Sequence, residues 1–319
     1  MGRLTLLLFL FFFLVLPIEG QGQYPVKPVR LVVAFPPGGG NDIVARLVGA
    51  KLQDAWGQPV LIENKPGANA IIGTEFVAKS APDGYTLLVG ASGAMTFNPG
   101  LYPKLSYDPQ RDFAPITMLG AFPLILAVHP SLPAQSVKEL IALAKAQPGK
   151  LNYAAGSTPF QLAAELFKLQ AGVQVNHISY KGSAAMVTAA MANEVQLIFV
   201  DSSPAMAQVR AGRLRPLAVT SRARAAALPE APTMIESGMA DYEVVLWTSL
   251  FAPAGTPRPV IEAIHGQAVK ALQLADVRER LAGLGIDPVG NTPEQLAAIV
   301  KSDIDKWTAV AKSAGVKAE

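Results

Sequence analysis

The chain of 319 residues contains no cysteine, only three histidines and few charges, 16% of its residues. Without cysteine there can be no disulfide framework, no thiolate nucleophile and no lipid-modified cysteine at a processing site. His129 precedes a proline at a predicted strand end, His177 falls inside a predicted apolar strand and reads as a structural residue, and His265 falls in a predicted C-terminal helix. None stands in H-E-x-x-H or at metal-ligand spacing from another, so no metal site is indicated. The Gly38–Gly40 run is neither G-x-G-x-x-G nor a P-loop, and no G-x-S-x-G elbow occurs. Nucleotide-phosphate binding and the common hydrolase signatures are therefore absent, and no cofactor is expected. There is no block of Lys or Arg, and the net charge is only +3, which gives no nucleic-acid footprint.

One long apolar run is present, and it lies at the start. Arg3 precedes Leu4–Leu16, Pro17 ends the run, and Gly20-Gln21-Gly22 supplies small residues at alternating positions. The run is short for a bilayer span, so residues 1–22 are expected to be a cleaved secretory signal, the alternative being a retained N-terminal anchor. Cleavage would remove Arg3 and Glu19 and leave the net charge unchanged. The expected location is the periplasm.

What remains is half hydrophobic, with 27 glycines and 26 prolines spread along the chain as turn punctuation. Val29–Phe35 reads as a buried strand and Pro36–Gly40 as a loop. Ile43, Val44, Leu47, Val48, Leu52 and Trp56 then follow at helical spacing, with Asn41 or Asp42 available as a cap. Strand–turn–helix units continue: strands at Val60–Ile62, Tyr85–Val89, Leu151–Ala154, Asn176–Ser179, Val195–Val200 and Leu214–Thr220, with helices at Ile71–Lys79, Gln161–Ala171, Ala184–Ala192 and Pro204–Ala211. Such alternation implies parallel sheets covered by helices. Capping boxes open at Ser136 and Thr292. Two long extended stretches, near residues 116–128 and 243–251, suit chain crossings. They divide the α/β chain into lobe 1, residues 24–121 plus 245–319, and lobe 2, residues 122–244, joined by a hinge over an interdomain ligand cleft.

Candidate contacts lie where strands run into helix starts, at Pro36–Asp42, Ala91–Gly93, Ala155–Pro159 and Asp201–Ser203. Ligands of α/β sheets bind at the carboxyl ends of strands, and helix N-termini there present free N–H groups to an anion. Gly38 and Gly39 allow backbone approach, Ser92, Ser157 and Thr158 add hydroxyls, and Asn41 adds an amide. Ser157, Thr158 and Asp201 can equally be helix caps, and Asp42 reads as a cap because its charge would repel an anion. Phe35 can form an apolar wall or belong to the core. With no arginine in these loops, backbone amides, hydroxyls and waters are expected to hold a small carboxylate.

These residues also carry a resemblance. Phe35–Asp42, Glu63–Ala68, Ala81–Thr86, Asn98–Pro103, Tyr107-Asp108-Pro109 with Arg111-Asp112-Phe113, Ala163–Lys168, Tyr180-Lys181-Gly182, Leu214–Ser221 and Ala252–Pro257, in that order, resemble the tripartite tricarboxylate transporter substrate-binding family, TctC or Bug receptors. The resemblance implies a type II periplasmic-binding-protein fold, hinge closure, a carboxylated ligand and membrane transporter subunits as partners. It places Gly38 and Gly39 on the family's first ligand loop, and Ser92, Ser157, Thr158 and Asp201 on or beside its other cleft loops. Asn41 stands where threonine is common, and the Ala155–Phe160 loop is shorter than in many relatives. A monomer is expected. A secreted hydrolase using the same cleft, and a receptor docking on a membrane sensor, are the alternatives.

Overall fold

A run of β-branched and leucine residues builds the first strand, β1 (Val29–Val33), and four of its five side chains are fully buried. The computed structural model describes residues 24–316, so the expected signal segment, residues 1–22, lies outside the described residues. From β1 the chain alternates: α1 (Gly40–Trp56), β2 (Val60–Asn64), α2 (Ile71–Ala78) and β3 (Thr86–Ala91). β1 pairs in parallel with β2 on one side and β3 on the other. All three therefore present their carboxyl ends on the same edge. α1 lays Val44, Ala45, Val48 and Leu52 on this sheet and stops at Gly57, whose φ of 62° closes the helix in the left-handed conformation. Burying each of the valine and leucine side chains contributes about 1.5–3 kcal/mol.

After β3 the chain winds through a π-helical turn, Gly93–Phe97, into the short α3 (Asn98–Leu101). Pro99 is tolerated because a first-turn residue needs no N–H. Gly100 lets the helix approach another backbone, since a Cβ there would lie 2.8 Å from Thr308 Cα. β4 (Phe113–Val128) then runs for sixteen residues. Its first part, to Pro123, pairs with β9 (Val245–Pro253), and from Leu124 onward it pairs with β7 (Leu197–Asp201) and β8 (Arg215–Val219). β4 thus belongs to both halves of the molecule.

The second half repeats the logic. α4 (Val137–Ala146), β5 (Asn152–Ala155), α5 (Thr158–Ala171), β6 (Asn176–Ser179), α6 (Ser183–Met191), β7 and α7 (Ser202–Arg210) alternate. β5 is parallel to both β6 and β7. After β9 come α8 (Arg258–Gln273), α9 (Ala275–Gly283), the short β10 (Asp287–Pro288) paired with β4, and α10 (Pro293–Ala314). The strand order is β2-β1-β3-β9-β4-β7-β5-β6. The structure is the two-lobed α/β arrangement that the alternation predicts.

Separate cores fill the two halves. One gathers Val29, Leu31, Leu87, Val89, Leu250 and the apolar faces of α1 and α8. Another surrounds Leu126, Tyr153, Phe167, Phe199 and Tyr242. The latter also takes in Phe97 and Trp307, stacked at 4.3 Å between ring centroids, so the far end of α10 is anchored in the second core.

Local details differ from expectation in several places, among them α7, which starts at Ser202 rather than Pro204. α5 starts at Thr158 rather than Gln161, because Pro159 fits a first turn and does not delay it. β6 is an exposed edge strand pairing only with β5, so His177 stacks on Tyr153 at the surface rather than in an apolar interior. The box at Ser136 is half formed. Its hydroxyl accepts from Glu139 N–H, but the glutamate reaches back to Gln135 N–H. The box at Thr292 is complete.

Candidate ligand-binding cleft

The carboxyl edge of β1 leads into Phe35–Asp42. Gly38 has φ of 84°, a backbone that favours glycine, and its N–H donates to Asp42 Oδ2 at 2.9 Å. Gly39 occupies the cap position of α1, so neither Asn41 nor Asp42 caps it; both lie in the first turn. Asp42, 2% exposed, reaches back to brace the loop and also accepts from Arg46 Nε and Asn64 Nδ2, each at 2.9 Å. Burial opposes its charge, but the bonds from Arg46, Gly38 and Asn64 prevail and hold the carboxyl below the usual aspartate range. Asp42 therefore spends its charge inside the protein. Phe35 is half-buried and packs against Ala34, Ala70 and Ala94 as well as the lobe 1 core.

Asn41 lies in the same turn, and its Oδ1 accepts from the hydroxyl of Thr248, a fully buried residue of β9. The neighbouring Trp247 N–H donates to Ser92 Oγ at 3.3 Å, and Ser92 is 2% exposed. Ser92 opens the π-helical turn, with its carbonyl accepting from Thr96 Oγ1. Asn41 and Ser92, 51 positions apart in the chain, are thereby brought together through adjacent residues of the crossing strand β9.

Across from them stand the helix starts of lobe 2. Ser157 sits at the cap position of α5 and Thr158 at its first residue, and the Ser157 side chain makes no capping bond. Gly156 lies flat against the next loop, since a Cβ there would meet Gly182 backbone at 2.7 Å. Tyr180 N–H to Ala155 O and Gly182 N–H to Gly156 O tie the two loops together. The start of α5 faces lobe 1 closely: a Cβ on Gly93 would lie 3.2 Å from Pro159 Cγ. Asp201 ends β7 at the cap position of α7 without capping it. Its Oδ1 is buried with no hydrogen-bond partner. Burial pushes the carboxyl above the ordinary aspartate range, and the Ser183 side chain at the start of α6 offsets part of that rise.

The first turn of α1 and the Ser92–Gly93 turn belong to one half and the starts of α5, α6 and α7 to the other, and the two halves approach each other at Gly93 and Pro159. Helix geometry leaves first-turn amides without intrahelical acceptors, and their dipoles favour negative charge. Thr248 and Ser183 are the residues that sequence reasoning passed over. Thr248 left a trace, since Thr248-Ser249 is a polar pair inside the otherwise apolar Val245–Phe251. Among the described residues no group of acids and histidines could hold a metal, and no helix is long and apolar enough to cross a membrane. The His129 ring bonds to the hydroxyl and the backbone N–H of the nearby Ser131, and the His265 ring lies against the Asn291 carbonyl.

Residues 44–316 match the family described as "Tripartite tricarboxylate transporter family receptor", TctC. The chain belongs to this family. It is 37% identical over 297 residues to Protein BugT of Bordetella pertussis, covering 92% of this chain and 91% of that one. Among solved structures it is similar to R. palustris Rpa4515 with adipate, at 34% identity and TM-score 0.84, covering 92% of this chain and 99% of that one. It is similar also to MatC of Rhodopseudomonas palustris with bound malate, at 32% identity and TM-score 0.80, covering 90% and 99%. Members of the TctC/Bug family are periplasmic solute-binding receptors rather than enzymes, and this chain is one of them.

Proposed function

We propose that this receptor captures a small mono-, di- or tricarboxylate between its lobes and presents it, as a monomer, to the membrane subunits of a tripartite tricarboxylate-type transporter. The observation that carries the reading is the facing of helix starts. Pro159 in the first turn of α5 approaches Gly93, Ser202 at the start of α7 bonds to Leu284 of the other half, and no lysine or arginine stands in Pro36–Asp42, Ala91–Gly93, Ala155–Pro159 or Asp201–Ser203. Gly38, Gly39, Asn41, Ser92, Ser157 and Thr158 supply the donors, Phe35 an apolar wall, and Asp201 a contact at the far end. Each hydrogen bond to a charged oxygen contributes about 1.5–3 kcal/mol, so a few of them, less the cost of ordering, support micromolar affinity. Adipate and malate in similar structures are both dicarboxylates, which supports the ligand class. The lobes, residues 24–121 plus 245–319 and residues 122–244, close about the two crossing strands.

The test is a thermal-shift and calorimetric screen of refolded protein against carboxylates, amino acids, sugars and phosphates, refolding being needed to remove any co-purified solute. A response confined to carboxylates, with a smaller radius of gyration in solution scattering when loaded, supports the reading. A response only to sugars or amines overturns the ligand class. Capture of membrane subunits by the loaded but not the empty receptor tests the transporter assignment.

A further inference from the structure

Asn41, in the first turn of α1, and Thr248, on β9, lie 207 positions apart and form one hydrogen-bonded unit. From this we infer that Thr248 is a positioning residue, which fixes the Asn41 side chain so that its Nδ2 hydrogens face the cleft. Lobe 1 then reads an acceptor oxygen of the solute, and rejects an ammonium at that point. The inference rests on the carboxylate reading and adds a specificity element to it.

Three observations carry it. Thr248 is fully buried in β9, so its hydroxyl needs a partner, and the partner present is Asn41 Oδ1. An amide whose oxygen is turned to a buried hydroxyl turns its N–H donors to the opposite side. Opposite Thr248, the register between β4 and β9 shifts between Met118 and Gly120. An irregularity of this kind re-aims side chains locally. Strand alternation also puts Trp247 on the other face, where its Nε1 donates to Asp303 Oδ2 at 3.2 Å. Contacts on both faces therefore hold the rotation of β9, and with it the direction of the Thr248 hydroxyl.

The test combines calorimetry with side-chain NMR on Thr248→Val, Thr248→Ser and Asn41→Asp. The probes are adipate, malate, and for each the analogue with one carboxylate replaced by an ammonium. In Thr248→Val the amide can rotate, so the acid should bind about three- to tenfold more weakly. Discrimination against the ammonium analogue should narrow at the same time. Thr248→Ser should restore both, and Asn41→Asp should weaken the acid about a hundredfold. In solute-free protein the Asn41 NH2 resonances should be rigid in wild type and Thr248→Ser and mobile in Thr248→Val. Equal mobility in all three overturns the positioning role whatever binds. Binding of the acids with unchanged affinity and selectivity in Thr248→Val overturns the specificity role while leaving the carboxylate reading intact. Failure of wild type to bind any acid overturns the carboxylate reading and the specificity role together, while the NMR still decides the positioning.

Discussion

The hydroxyl of Ser202, at the start of α7, donates to the carbonyl oxygen of Leu284, beyond the end of α9, at 3.0 Å. The two residues come from opposite halves of the molecule. The next residue, Gly285, has φ of 69°, and a Cβ there would stand 2.4 Å from Ser202 Oγ. Gly285→Ala should therefore separate the halves as well as strain the backbone. Its stability cost should be about 1–2 kcal/mol, the penalty of a left-handed non-glycine residue. Solute affinity should fall about tenfold. Titration calorimetry and scattering of the loaded form check this, and Ser202→Gly in the same chain should recover part of the affinity by removing the clash.

Asp42 makes a second prediction. Its depressed carboxyl contributes stability that is complete above the usual aspartate range and lost as pH falls through the depressed value. Asp42→Asn should cost about 1.5–3 kcal/mol at neutral pH, the range for a hydrogen bond to a charged group. Urea unfolding should show the gap between wild type and variant closing on acidification. A gap that is constant with pH would remove the charge from the account of this loop.

Asp201 has the opposite sign. Burial raises its carboxyl, so the folded chain holds the proton more tightly than the unfolded chain does. Above the ordinary aspartate range its effect is to lower stability as pH rises toward the raised value. Asp201→Asn should remove this slope and make the empty protein more stable at neutral pH by on the order of 1 kcal/mol. Unfolding curves at pH 4 and pH 8 decide the matter, and parallel curves for both proteins would refute it.

Trp307 is 2% exposed and stacked on Phe97. Trp307→Ala should cost about 3–5 kcal/mol, as large-to-small changes in a core do. Trp307→Phe should keep most of the stability by preserving the ring contact. The comparison of urea midpoints is direct. A small effect in the alanine variant would mean that the end of α10 is not held by the second core.

Much of this was legible in the chain order. The valine-rich segment Val29–Val33, apolar but for Arg30, reads as a buried strand, and Thr292 with Gln295 announced the start of α10 through a local hydrogen-bond exchange. Errors came where a local pattern had two uses. Ser157-Thr158-Pro159 reads as a loop before a helix, yet proline's missing N–H costs nothing in a first turn, and α5 begins there. Asn176–Ser179 has strand composition, but composition does not say that only β5 would lie beside it, leaving all four residues exposed.

By itself the sequence determined the α/β alternation, the loops at strand ends and the absence of cysteine chemistry, because periodicity, turn residues and composition act over a few neighbours. Only the tertiary structure decided which of those loops meet. The bond from Thr248 to Asn41, that from Trp247 N–H to Ser92, and the approach of Pro159 to Gly93 depend on β9 running antiparallel between β3 and β4. That placement follows from burying both faces of one sheet, a property of the whole chain rather than of any segment.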